Sequence, residues 1–139
     1  MKMEWGYDMK AKMISVYDPS EDDCTIVTDT LEELVGRSGV KAIIKSFTDR
    51  EAFTYDFRDN HYDVAFVGIN TFMDFEAARS VRKLDEKCSL FLVSRTDEYA
   101  LEGIRMRVMD YIIKPMTAAR LRESLSRINL PLPPNVDSG

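Results

Sequence analysis

The sequence predicts a doubly wound α/β domain built on five parallel strands, and three observations carry that expectation. Five short apolar runs alternate strictly with five stretches of helical periodicity. The apolar runs are nearly continuous, as in VAFVGI, which suits strands covered on both faces. At 139 residues the chain has room for one domain of five such units, burying about two thirds of its unfolded surface.

Each element has its own signal. Met13 to Tyr17 reads as the first strand, stopped by Asp18-Pro19. Ser20 caps the first helix, with Glu21, Asp22 and Asp23 in its first turn, where acids suit the helix dipole. Its buried face is Cys24, Val27, Leu31, Leu34 and Val35, before Gly36 and Gly39 turn the chain into a strand from Val40 to Phe47. Thr48-Asp49-Arg50-Glu51 has the spacing of a capping box and opens a helix through about Phe57. A strand over 62–69 follows, then a helix over about 72–86 with Phe75, Ala78, Val81 and Arg82 in register. Ser89 to Val93 is a fourth strand that breaks at Ser94. Asp97 to about Val108 reads as a helix with Tyr99, Leu101, Ile104 and Val108 on its apolar side. Asp110 to Ile113 is the fifth strand, stopped by Lys114-Pro115. Thr117 to Ile128 closes with a helix burying Ala118, Leu121, Leu125 and Ile128. Right-handed crossovers leave few topologies, and five units of this size suit a flavodoxin-like (βα)5 sheet of strand order 2-1-3-4-5. Residues 1–11 read as an N-terminal extension and 129–139, with three prolines, as a linker or tail.

Composition excludes several functions. The charge of −5 and pI near 4.9 argue against direct grip on a nucleic-acid backbone. The longest apolar run is far too short to span a membrane, and the charged start has no signal-peptide character. Cys24 and Cys88 stand far apart with no metal-ligand spacing, as expected of reduced thiols in a cytoplasmic protein. Charge is uneven, however: residues 95–129 carry seven Lys/Arg against five acids, which marks that stretch as a candidate contact face.

In a sheet of this order the first, third, fourth and fifth strands deliver their ends to one crevice. Those ends are Tyr17-Asp18, Gly68, Ser94 and Lys114-Pro115. Over residues 12–128 the sequence resembles the receiver domains of two-component response regulators. The likeness is closest in FLVSRTDEYALEGIRMRVMDYIIKP, which is similar to the receivers of LytTR-type transcription regulators.

That resemblance implies roles where residues match. The family's Mg²⁺-holding acidic pair falls on Tyr17 and Asp18, so one acid survives. The phosphoacceptor aspartate falls on Gly68, which has no side chain. Ser94 matches the hydroxyl residue that contacts the phosphoryl group, Tyr111 the aromatic that switches with it, Lys114 the invariant lysine and Pro115 the proline after it, commonly joined by a cis bond. The family's M-P-x-M-D-G run is replaced by Asn70 to Phe75, one residue shorter.

Phosphoryl transfer needs an oxygen nucleophile in line and cations to neutralise the equatorial oxygens. Gly68 cannot supply the first, and Asp18 with one backbone carbonyl, that of Asn70, is a poor Mg²⁺ site. The sequence therefore predicts weak or absent Mg²⁺ binding, no cofactor and no catalysis. It also predicts a direct Asp18–Lys114 pair in a neutral crevice. Asp74 reads as a solvent-facing acid, Ser94 equally well as a helix cap, His61 as a surface residue, and Ile104, Met106, Met109 and Ile112 as packing.

The expected function is that of a cytoplasmic pseudo-receiver, which signals by protein binding or self-association without aspartyl phosphorylation. Its face would be the fourth helix, fifth strand and fifth helix, with Arg105, Arg107, Arg120 and Arg122 meeting acidic groups. Two alternatives stand beside it: a receiver using a non-standard carboxylate, and a small-molecule sensor using the vacated crevice beside Tyr17 and Phe72. The proline-rich ending suits a tether to a DNA-binding domain outside this chain.

Overall fold

Alternate residues of the first strand, β1 (Lys12–Tyr17), serve two different cores. Ile14 and Val16 join one, and Met13 and Tyr17 join the other. This computed structural model describes residues 11–128. After β1 come α1 (Glu21–Ser38), β2 (Ala42–Phe47), α2 (Arg50–Asp59), β3 (Val64–Ile69) and α3 (Phe72–Leu84). Then follow β4 (Ser89–Ser94), α4 (Ala100–Arg105), β5 (Asp110–Ile113) and α5 (Ala118–Leu125). All pairings are parallel and the order is β2-β1-β3-β4-β5, the predicted topology.

The first core lies beneath α1 and α5 and is centred on Phe66 stacked against Phe91 at 4.6 Å. The second lies beneath α2, α3 and α4 and carries an aromatic chain from Tyr17 through Phe53 and Phe57 to Tyr62. β3 is buried along its whole length, as its continuous apolar sequence requires. The expected α1 face of Cys24, Val27, Leu31, Leu34 and Val35 is the buried one, and Gly39 closes the helix at φ 78°, where L side chains are strained.

Three local expectations are corrected. Asp49, not Thr48, caps α2, because its carboxylate accepts from the Ala52 amide. The α4 helix is only six residues long. Its sheet-facing residue is Gly103, which sits against Leu92, Val108 and Tyr111, so Leu101 and Ile104 face outward at 60% and 71% exposure. The helix ends early because Arg107 adopts φ 57°. The buried Arg82 holds that turn, donating to the carbonyls of Met106, Arg107, Asp85 and Cys88. In α5 the first turn is exposed, so Ala118 is outside while Leu121, Ser124 and Leu125 are buried. The expected extension over 1–11 and the proline-rich tail lie outside the described residues except for Ala11. No helix among the described residues is long and apolar enough to cross a membrane.

Candidate functional site

Parallel pairing brings the carboxyl ends of β1, β3, β4 and β5 to one edge of the sheet, with Ile69 level with Ser94 and Ser94 level with Ile113. Asp18, one residue past β1, is buried there. One of its oxygens accepts from the Ser20 amide at 2.9 Å, which tightens the turn into α1. The other stands 3.0 Å from the Lys114 ammonium. Lys114 aims its hydrogen bond at Asp23 Oδ2, 2.8 Å away on the first turn of α1, and Arg95 reaches the same oxygen at 3.3 Å. The crevice thus holds two carboxylates and two cations.

Burial lifts the Asp18 carboxyl above its ordinary range, against the opposing pull of the Ser20 amide and Lys114. Asp23 is held below that range, first by the Lys114 hydrogen bond. The two acids therefore differ in role: Asp23 is the anion that Lys114 grips, and Asp18 is the one forced into the interior. Sequence reasoning counted only one acid. The signal for Asp23 was its place in the first turn of the helix that opens at this edge of the sheet.

Gly68 lies beneath Asp18. A Cβ built on Gly68 would meet Asp18 Oδ2 at 2.1 Å and Cγ at 2.3 Å. The glycine is required by this close approach rather than by an unusual backbone angle. The space over Gly68 is filled by Asp18, and the residues of the alternative small-molecule crevice do not meet there: Tyr17 is on the other side of the sheet and Phe72 is half exposed at the surface.

Tyr17 has left the crevice altogether. It stacks on Phe53 at 5.2 Å, and its hydroxyl donates to Asp74 Oδ1 at 2.6 Å. Asp74 was expected to face solvent; it is 1% exposed. It accepts from the Asn70 and Thr71 amides at 2.9 and 3.1 Å and from Arg50 at 3.2 Å. The Thr-x-x-Asp spacing of residues 71 to 74 was the available sign of an acid reaching back to the helix N-terminus. Burial pushes the Asp74 carboxyl upward, but the Tyr17 hydroxyl, the two amides and Arg50 outweigh it and leave it below its ordinary value. Tyr17 moves the opposite way, raised by burial and by the adjoining carboxylate.

These shifts fix a pH response. Asp74, Asp23 and Asp110 are all held low in the folded state, so the stability they contribute is present above about pH 4 and lost as pH falls through their folded values. Asp18, held high, has the opposite sign and acts above that range: between its ordinary and its raised value, acidification favours the folded state. Denaturant titrations at pH 7 and at pH 3 should show the chain weaker in acid. Asp74→Asn should narrow that difference, lowering stability at pH 7 by about 1–3 kcal/mol.

Ser94 spends its hydroxyl on the backbone, donating to the Ile69 carbonyl at 3.3 Å and accepting from the Thr96 amide at 3.3 Å. It does not cap α4, whose N-cap is Tyr99. Tyr111 donates to the Thr96 carbonyl at 2.8 Å, so its ring is tied to the β4–α4 loop. Lys114 and Pro115 are joined by a cis peptide bond. His61 is largely exposed, 3.6 Å from Asp63.

The carboxylates at this edge of the sheet are already engaged by protein donors. Lys114 and the Ser20 amide already occupy Asp18, and Lys114 and Arg95 occupy Asp23. Among the described residues no cluster of three acids, histidines or cysteines is placed to hold a metal.

The basic face is also rearranged. Arg120 was expected to meet a partner's acids, but it meets Asp110 at 2.8 Å and Ser124 at 2.6 Å within its own fold, and Arg127 joins Asp110 at 3.1 Å. Arg107 is committed to the turn after α4, 3.7 Å from Glu86. Arg105 is exposed and Arg122 half-buried. The surface they share is apolar: Leu101, Ile104 and Ile113 are all exposed on α4 and β5.

No family model matches the chain. The sensory transduction protein LytT of Bacillus anthracis is 27% identical over 108 residues, which is 76% of this chain and 44% of that protein. The transcriptional regulatory protein LytR of Staphylococcus aureus (strain N315) is 24% identical over 71 residues, 50% of this chain and 29% of LytR. The chain thus spans less than half the length of these curated relatives. Among solved structures, the REC domain of AraT, a response regulator from Geobacillus stearothermophilus, matches with a TM-score of 0.71 at 20% identity, over 85% of this chain and 92% of that one. The Vibrio cholerae chemotaxis protein CheY4 matches with a TM-score of 0.70 at 18% identity, over 86% and 99%.

Proposed function

Since this chain has the fold of response-regulator receiver domains and is similar in sequence to the LytT and LytR regulators, we propose that it is a pseudo-receiver of two-component signalling. It acts by protein contact, without a phosphoryl group and without catalysing a reaction. The observation that carries this reading is the Asp18 carboxylate lying over Gly68 and paired with Lys114. An aspartyl phosphate adds negative charge that a receiver's lysine and metal must neutralise. Here Asp18 and Asp23 already supply Lys114 with anions. Asp74 is no substitute acceptor, because its oxygens are buried and taken by four donors.

An amide NMR titration with Mg²⁺ and then beryllofluoride, a mimic of aspartyl phosphate, tests the reading. The expected result is no saturable shift at Gly68, Ser94, Tyr111 or Lys114. Saturable shifts at those positions would restore the receiver that uses a non-standard carboxylate.

The contact face in this proposal is α4–β5–α5, and the partner is a second copy or another protein. Support comes from the exposed Leu101, Ile104 and Ile113 rather than from the arginines. Leu101→Glu with Ile104→Glu should leave the fold intact, since both side chains point outward, and should weaken association by roughly tenfold or more in sedimentation or partner titration. Unchanged association in the double variant would remove the face from the proposal. A tethered DNA-binding domain outside this chain would make the output transcriptional.

A further inference from the structure

We propose that the outer edge of β2, together with α1, is a docking groove for an extended basic peptide segment that joins the sheet as a sixth strand. This surface is separate from the crevice and from α4–β5–α5.

β2 is an edge strand. Lys41 and Phe47 accept from the Lys12 and Asp18 amides, so odd-numbered residues direct their backbone groups to β1. Strand alternation then turns the N–H and C=O groups of Ala42, Ile44 and Ser46 outward, and no described strand takes them up.

The side chains of those same three residues wall a groove whose other wall is α1. At one end it is apolar, lined by Val35, Gly36 and Val40. At the other it is acidic, lined by Glu21, Thr25 and Asp29, and Glu32 belongs to both ends. A side chain at Gly36 would meet nothing within 4 Å, so the groove is open there. Three carboxylates and no lysine or arginine line it, and Thr28 Oγ1 within it is shielded from solvent without a hydrogen-bond partner.

These features specify the occupant. An added strand gains its affinity from backbone hydrogen bonds and its specificity from alternate side chains. The residues facing α1 would be small and apolar beside Gly36, then Lys or Arg beside Glu32, Asp29 and Glu21. The intervening residues cross the other face, where Ile43 is 47% exposed. The chain's net charge of −5 would steer a cationic segment inward.

The test titrates acetyl-Val-Thr-Arg-Thr-Arg-Thr-amide into the full chain and follows backbone amides by NMR. The expected result is saturable shifts at Ala42, Ile44 and Ser46 and along α1, with a Kd of roughly 0.1–1 mM. Asp29→Lys with Glu32→Lys, both at exposed positions, should weaken binding by roughly tenfold or more. N-methylation of the peptide at its strand-bonding residues should abolish it. Shifts confined to α1 with β2 unmoved, equal binding by a peptide with Glu for Arg, or no shift at about 1 mM would each overturn the proposal.

Discussion

Gly68→Ala should destabilise the domain by about 2–3 kcal/mol, although it adds a single methyl group to a strand. The new Cβ falls 2.1 Å from Asp18 Oδ2 and 2.9 Å from its Cβ, so a turn of the carboxylate alone does not relieve the contact. Asp18 must withdraw, which separates it from Lys114 inside a buried site. Denaturant unfolding of Gly68→Ala, Asp18→Ala and the double variant closes a thermodynamic cycle. The cost of the pair should fall well below the sum of the singles, because removing Asp18 makes room for the methyl. Strict additivity would mean that Asp18 does not hold the space over Gly68. Gly68→Asp, which rebuilds the acceptor on paper, should be worse than alanine and should take up no beryllofluoride while Asp18 remains.

Arg82→Met should cost more, about 3–5 kcal/mol by the same measurement. The guanidinium is nearly buried and donates to four carbonyls, those of Asp85, Cys88, Met106 and Arg107. These lie at the end of α3, the start of β4 and the turn after α4, so one side chain ties three segments together. Methionine fills much of the volume but leaves the carbonyls without donors, away from water. Arg82→Lys should recover only part of the loss, since an ammonium cannot span the fork of a guanidinium. Amide exchange should quicken first around Met106 to Met109. If exchange there stays as slow as in the parent, Arg82 is filler rather than clamp.

The sheet was legible because its strands are written as apolar runs and its turns as Asp-Pro, Gly and Lys-Pro, and right-handed crossovers with five units left few orders besides 2-1-3-4-5. The α4 helix was not. Leu101 and Ile104 carry the spacing of a buried stripe, and periodicity cannot tell a stripe that meets the sheet from one that faces outward. The early stop was also hidden, since it depends on Arg82, more than twenty residues back in the chain. At the crevice, the strand ends named the right positions but not the directions of their side chains. Strand alternation puts Tyr17 opposite Val16 and hence away from the α1 core, which the family correspondence alone obscured. Asp74 and Arg120 were misread for one reason: their partners, Tyr17 and Asp110, come near only through the fold.

The closeness of Asp18 to Gly68 also makes the two positions change together or not at all. A carboxylate at position 68 would need two substitutions to be accommodated. Introducing the acid first drives it into Asp18; relocating Asp18 first gives up its pairing with Lys114. Either first step is a loss, so the two positions are interlocked: a side chain can enter at 68 only when Asp18 gives up the space in the same step.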